Sequence, residues 1–279
     1  MKTPAGLAAL LDQGLIERVV RPLMSGKEAQ VYLVISDGEE RVAKVYKEAQ
    51  HRSFKHRTDY TEGRAAKSSR DARAISKGSK HGKAQDEAAW RSAEVDTLYR
   101  LRDAGVRVPT PHHFLSGVLV MELVKDAHGR PAPRLGEIDL TREAGEGIFH
   151  QLVREVVKML CAGVIHADLS EFNVLLGAEG PVIIDFPQSF SAASNPNAQK
   201  ILVRDVANLN RFLARFGPTE RPLRHAMEMW ALYARGELTP DTPLTGRYAP
   251  ADSRVDLRAL LEEMAEDERD EMRRRATNR

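Results

Sequence analysis

Three oxygen-bearing side chains stand at intervals that chemistry can use. Asp168 lies in His166-Ala167-Asp168-Leu169-Ser170-Glu171-Phe172-Asn173, five residues before Asn173, and Asp185 follows Asn173 by twelve. Asp168 can meet an attacking hydroxyl and take its proton. Asn173 and Asp185 offer hard oxygen donors, which Mg²⁺ prefers when it also binds substrate phosphates. A lone Asp or Asn in a loop usually caps a turn. Here the apolar run Val182-Ile183-Ile184 leads directly into Asp185, so the second carboxylate falls at a strand end. That combination favours phosphoryl transfer over turn capping, with the Asp-to-Asn spacing of a phosphotransfer loop.

A cation must face these anions. Lys44 sits in Val42-Ala43-Lys44-Val45-Tyr46, a lysine within an apolar strand. Pointing inward it needs an anionic partner, because an unpaired buried charge is costly. The phosphates of ATP and Glu94, on a later helix, would supply one. Taken alone, an outward lysine on an edge strand is the simpler reading; the downstream motif reverses that order. Met24-Ser25-Gly26-Lys27-Glu28-Ala29 occupies the place of a nucleotide-covering loop. With one glycine it is weak evidence by itself, but backbone N–H groups of Ser25, Gly26 and Lys27 and the Ser25 hydroxyl could contact phosphates. Met121, Glu122 and Val124 are read as the adenine-facing edge, acting mainly through backbone groups. His166 is read as orienting the loop around Asp168.

These residues need elements to hold them. Leu7 to Val20 reads as a short helix with Leu7, Leu10, Leu11, Leu15 and Ile16 on one face. Val19–Leu23, Ala29–Ile35 and Arg41–Tyr46 read as strands, with Ser36-Asp37-Gly38 as a hairpin turn. Glu87 to Ala104 reads as a helix burying Trp90, Val95, Leu98 and Leu101, with Gly105 past its end. Pro109 and Pro111 punctuate, and Val118–Val124 is an apolar strand run. Helices are expected over Glu143–Ala162, Ile201–Phe216 and Leu223–Arg235, with a small hairpin from Asn173–Leu176 and Val182–Ile184. The expectation is an α+β fold of two lobes: residues 1–124 as an antiparallel sheet with one helix, a hinge at 125–133, and a mostly helical lobe over 134–279 that ends in a charged helix from Asp256.

Composition narrows the classes. The chain has 279 residues, formal net charge +2 and one cysteine, Cys161. No intrachain disulfide is possible, which suits a reducing compartment. No stretch approaches the roughly 18 apolar residues that a membrane helix requires. The expectation is a cytoplasmic, unanchored protein. The basic excess is local: residues 47–86 hold eleven Lys and Arg against five Asp and Glu, with few large apolar residues. That composition reads as a mobile loop.

The chain resembles the RIO family of atypical protein kinases, in its shorter, RIO1-like branch. The resemblance rests on Ser25-Gly26-Lys27-Glu28-Ala29-Gln30-Val31-Tyr32, Ala43-Lys44-Val45-Tyr46-Lys47, the His166–Asn173 motif and Ile183-Ile184-Asp185-Phe186-Pro187-Gln188-Ser189. It runs roughly from Val19 to Phe216. It implies a serine/threonine protein kinase or autophosphorylating ATPase using ATP with Mg²⁺, or alternatively Mn²⁺. Asp168 would be the catalytic Asp, Asn173 and Asp185 the metal ligands, Lys44 the phosphate holder and Glu94 its partner. By the same resemblance, Asp185 would be the residue that forms a phospho-aspartate. Two departures stand out: Ser170 replaces the Lys of common kinases, and Ala167 stands where Gly is common. The roughly 20 residues before the first strand are too few for the winged-helix domain of another branch.

Two other classes compete. A small-molecule kinase of the aminoglycoside or choline type would share the Asp…Asn…Asp loop. A scaffold could use the basic segment on RNA, a ribosomal partner or an acidic protein, though Phe54 and Tyr60 are its only stacking aromatics.

Overall fold

The computed structural model describes residues 4–26, 29–46, 93–217 and 222–247. Lys27, Trp90, the basic segment 47–86 and the charged helix expected from Asp256 lie outside them. The chain forms two compact units, Met1–Asp139 with Phe172–Phe190, and Leu140–Glu171 with Ser191–Arg279. The first carries an antiparallel sheet and the second is mainly helical, the α+β class that the sequence implies.

In the first unit, β1 (Arg18–Ser25), β2 (Ala29–Ser36), β3 (Glu39–Tyr46), β4 (Pro111–Leu115) and β5 (Val118–Glu122) pair in the order β1-β2-β3-β5-β4. Two tight turns set the register. Asp37 and Gly38 join β2 to β3, and Ser116 and Gly117 join β4 to β5, all four with positive φ. Two such residues in succession are what a type I′ hairpin requires. The alternating pattern of the strands divides the apolar residues between two faces. On one face, Tyr32, Val34, Ala43, Val118 and Val120 pack with Leu7, Leu10 and Ile16. On the other, Leu33 and Val42 pack with Leu123, Val31 and Met121.

The first helix, α1 (Ala5–Asp12), is shorter than the expected Leu7–Val20. Gly14 takes φ +68°, and from Arg18 onward the chain pairs with β2 instead. Leu15 and Ile16 still join the same apolar cluster after the helix has ended, so their spacing imitates a helical face. The run expected to be strand through Val124 leaves the sheet after Glu122. The carbonyl of Val124 accepts from Ala132 N–H, and Lys125 bridges to Pro131. Strand β4 is not expected from the sequence, where Pro111 reads as a terminator; a proline is tolerated where a strand begins at a sheet edge.

Residues 93–103 form α2, with Val95, Leu98 and Leu101 buried. The expected hairpin is present as β7 (Val174–Gly177) and β8 (Gly180–Ile183). Leu176 N–H donates to Pro133 O, Ala178 N–H to Lys125 O, and Ile183 N–H to Arg107 O. The hairpin is thereby sewn into the first unit.

The second unit is built on α3 (Arg142–Cys161), the short strand β6 (Val164–Ile165), α4 (Ala198–Leu213) and α5 (Pro222–Ala234). Thr141 caps α3 by accepting Ala144 N–H at 3.2 Å, and Gly163, at φ +69°, follows its last turn. A side-chain cap of this type contributes about 1 kcal/mol. Ile148, Leu152, Val156 and Leu160 give α3 a buried stripe. The carboxylate of Glu228 on α5 accepts from Thr245 N–H, Thr245 hydroxyl and Gly246 N–H, pinning the segment that follows the helix. Among the described residues, no helix is long and apolar enough to cross a membrane.

Candidate active site

Strand alternation decides where Lys44 points. It pairs with Val31 and Leu119 and has the parity of Val42 and Tyr46, so it lies on the sheet face away from α1. Its ammonium donates to Glu94 Oε1 at 2.7 Å and to Asp185 Oδ1 at 2.6 Å. The two carboxylates differ in setting: the Glu94 side chain is 2 % exposed and that of Asp185 is 38 %. Burial by itself lowers the Lys44 pKa, but the charges of Asp185 and Glu94 outweigh it and hold the amine well above its ordinary value. The lysine is a fixed cation between two anions. Tyr46 completes the group, its hydroxyl donating to Glu94 Oε2 at 2.7 Å.

Asn173 and Asp185 stand at the open end of the β7–β8 hairpin. Val174 pairs with Ile183, and Ile184 N–H donates to Asn173 O at 3.0 Å. That bond brings the backbone of Asn173 opposite the residue that precedes Asp185. Asp185 takes φ +71°, a left-handed conformation that glycine, asparagine and aspartate adopt more readily than other residues. Behind it Phe186 is buried, and the Ser189 hydroxyl donates to Phe186 O at 2.7 Å. The backbone is thus hydrogen-bonded on both sides of Asp185. Asn173 amide and Asp185 carboxylate oxygens are the hard donors that a divalent cation accepts.

In the second unit, Asp168 is exposed on a loop whose backbone is tethered to α4. Asp205, fully buried, accepts Ala167 N–H at 2.8 Å and Leu169 N–H at 3.3 Å. Arg204 donates to Ala167 O at 2.9 Å, and Asn208 to Leu169 O at 3.3 Å. Asp168 N–H itself donates to His166 Nδ1 at 3.3 Å, and His166 is buried. The loop carries Ala167 at φ +69°, the position where glycine would be at ease. Burial pushes the Asp205 carboxyl up to about 7 against the pull of Arg204 and the two backbone donors. Sequence reading passed over Arg204, Asp205 and Asn208. A signal existed: Asp205 interrupts the apolar stripe of Leu202, Val203, Val206 and Leu209, and a carboxylate on such a face must have partners.

The remaining expected residues fall as follows. Ser25 ends β1 and is exposed; Gly26 N–H closes a turn onto Ala29 O at 2.9 Å. Lys27 is outside the described residues. Met121 and Glu122 end β5. Glu122 N–H donates to Thr110 O at 2.8 Å, and its carboxylate receives both Arg107 terminal nitrogens and Thr110 N–H. Val124 is buried. Lys44, Glu94 and Asp185 are therefore in direct contact, Asn173 neighbours Asp185 across the hairpin, and Asp168 belongs to the other unit.

A model of the RIO domain matches residues 30–226. The RIO-type serine/threonine-protein kinase Rio1 of Haloferax volcanii is 36 % identical over 217 residues, covering 77 % of this chain and 70 % of the relative. The serine/threonine-protein kinase RIO1 of Caenorhabditis elegans is 32 % identical over 236 residues, covering 82 % of this chain but 43 % of the relative. This chain therefore spans less than half of that animal protein. A solved kinase domain superposes with a TM-score of 0.48 at 14 % identity, covering 76 % of this chain and 69 % of that one.

Proposed function

The chain belongs to the RIO domain family, and on that premise we propose that it transfers the γ-phosphoryl group of ATP to serine or threonine hydroxyls of a protein, itself included. The observation that supports this most is the shared lysine: one buried ammonium held between Glu94 and Asp185. An ammonium oriented in this way is suited to the phosphates of a nucleotide, and the helix carboxylate fixes its aim.

The residues take these roles. Lys44 holds phosphate oxygens, and Glu94 positions Lys44. Asn173 and Asp185 would hold a divalent cation, Mg²⁺ in the first instance; when bound, such an ion neutralises developing phosphate charge. Among the described residues no three His, Cys, Asp or Glu side chains gather as a metal site. A cation here would then draw further oxygens from the nucleotide, which is the habit of Mg²⁺. Asp168 accepts the proton of the attacking hydroxyl as its oxygen bonds to the γ-phosphorus and ADP departs. Ser25 and Gly26 would cover the phosphates, with Lys27. Met121, Glu122 and Val124 would edge the adenine. The Arg107 clamp on the Glu122 side chain supports that edge from behind. The lobes would be residues 1–124 and 134–279 with a hinge at 125–133, a division that differs from the two compact units, the first of which contains 125–133.

Labelled ATP tests the reading. Wild type should label itself or a protein acceptor, and small alcohols such as choline should stay unlabelled. Asp168→Asn should lower kcat by about 10²- to 10⁴-fold, the usual contribution of a positioned acid–base group. Its melting temperature should hold, because Asp168 is exposed. Asp185→Ala should lose metal-dependent ATP binding. Normal turnover in both variants would refute the assignment.

A further inference from the structure

Tyr46 lies two residues beyond Lys44 on the same face of β3 and is 6 % exposed. Its hydroxyl donates to Glu94 Oε2 at 2.7 Å while Lys44 Nζ takes Oε1 at 2.7 Å. The ammonium also lies 5.1 Å from the centroid of the Tyr46 ring, within cation–π range. Burial, followed by the charge of Glu94, raises the phenol well above its ordinary value, so the hydroxyl keeps its proton. Toward a carboxylate such a group can only donate.

A carboxylate that faces an ammonium alone is free to turn and offer it both oxygens. At Glu94 the phenol holds Oε2, so turning both oxygens onto Lys44 would break that bond. The ammonium has three N–H donors. One goes to Glu94 and another to Asp185 at 2.6 Å. Were Glu94 to chelate the amine with both oxygens, it would compete with Asp185 and with the phosphates. Ring packing does not account for the hydroxyl bond, because phenylalanine would fill the same space.

We propose that Tyr46 is a positioning residue for phosphoryl transfer: by holding Glu94 Oε2 it fixes the rotation of that carboxylate and keeps Lys44 shared with the anions on its other side. This rests on the phosphotransferase reading and deepens it. In this role Tyr46 acts on Lys44 through Glu94, without itself contacting the reacting groups.

A double-mutant cycle on the full chain tests it, with Tyr46→Phe, Glu94→Gln and the pair. ATP kinetics and melting temperature are read for each. Tyr46→Phe should raise KM for ATP about tenfold, the scale of one hydrogen bond to a charged group, while kcat changes far less. In the Glu94→Gln background the same change should move KM less than about twofold, because coupled residues are not additive. An unchanged KM with a lowered melting temperature overturns the inference, as does an equal KM rise in both backgrounds. Should Tyr46→Phe fail to fold, difluorotyrosine at position 46 replaces it. KM should then vary with pH more steeply than in wild type, and an identical pH profile overturns the inference. A wild-type chain that neither binds nor turns over ATP removes the phosphotransferase reading and this one together. An active wild type with an indifferent Tyr46 removes only this one.

Discussion

Lys44 and its two carboxylates make unequal demands on the fold. Glu94 is almost wholly buried, so removing its cation strands a charge; breaking a buried pair in this way costs about 3–5 kcal/mol. Asp185 is more than a third exposed and water can take over its partner's role. Lys44→Met should therefore lower the melting temperature more than Asp185→Asn, after which Lys44 still keeps Glu94 as its anion. Calorimetry on the two variants would show the contrast, and equal losses would contradict it. The same difference explains what could be read in advance. Lys44, Asp168, Asn173 and Asp185, the residues proposed to carry the chemistry, stand in tell-tale sequence settings. Tyr46 and Asp205 would act through other groups; nothing in the spacing of Tyr46 marks it, and Asp205 shows only as a carboxylate interrupting an apolar stripe. Only the pairing of β3 with its neighbours and the docking of a loop on α4 reveal their partners.

At the scale of elements, close approach governs the first unit. A methyl added at Gly6 would sit 2.6 Å from Val118 Cγ2 and 3.2 Å from Ser116 O. Alanine gains up to about 1 kcal/mol over glycine within a helix. Overpacking against a fully buried valine and a turn carbonyl costs about 1–3 kcal/mol, and that is the larger effect. Gly6→Ala should destabilise the protein, and a denaturant melt with a raised midpoint would refute this. Strong periodicity made the helices and the β2–β3 hairpin legible. The end of α1 was not, because Leu15 and Ile16 prolong its apolar stripe after Gly14 has turned the chain. Strand β4 was hidden by Pro111, whose effect depends on lying at a sheet edge, and edges are invisible until strands pair.

At the scale of the molecule, Asp205 links stability to pH. Its folded pKa is about 7 against an ordinary 3.8. The folded state thus holds a proton that the unfolded state releases earlier. The stability this contributes is complete below about pH 4 and is lost as pH rises through about 7, up to roughly a few kcal/mol. Asp205→Asn should flatten that slope in melts taken from pH 5 to 8. An unaltered slope would assign it to other groups. The loop benefits in the opposite sense, since the ionised carboxylate is the better acceptor for Ala167 and Leu169.

The order of segments has one more effect. The chain enters the second unit after Asp139, returns at Phe172 and leaves again after Phe190. No single cut can release either half intact. Residues 1–139 expressed alone would lack the donors for the carbonyls of Arg107, Lys125 and Pro133, and would leave Lys44 with one anion fewer. Such a fragment should melt without cooperativity until a peptide spanning 172–190 is supplied. The segment bearing Asn173 and Asp185 is thus a detachable keystone in topology, though it is only a short loop in sequence.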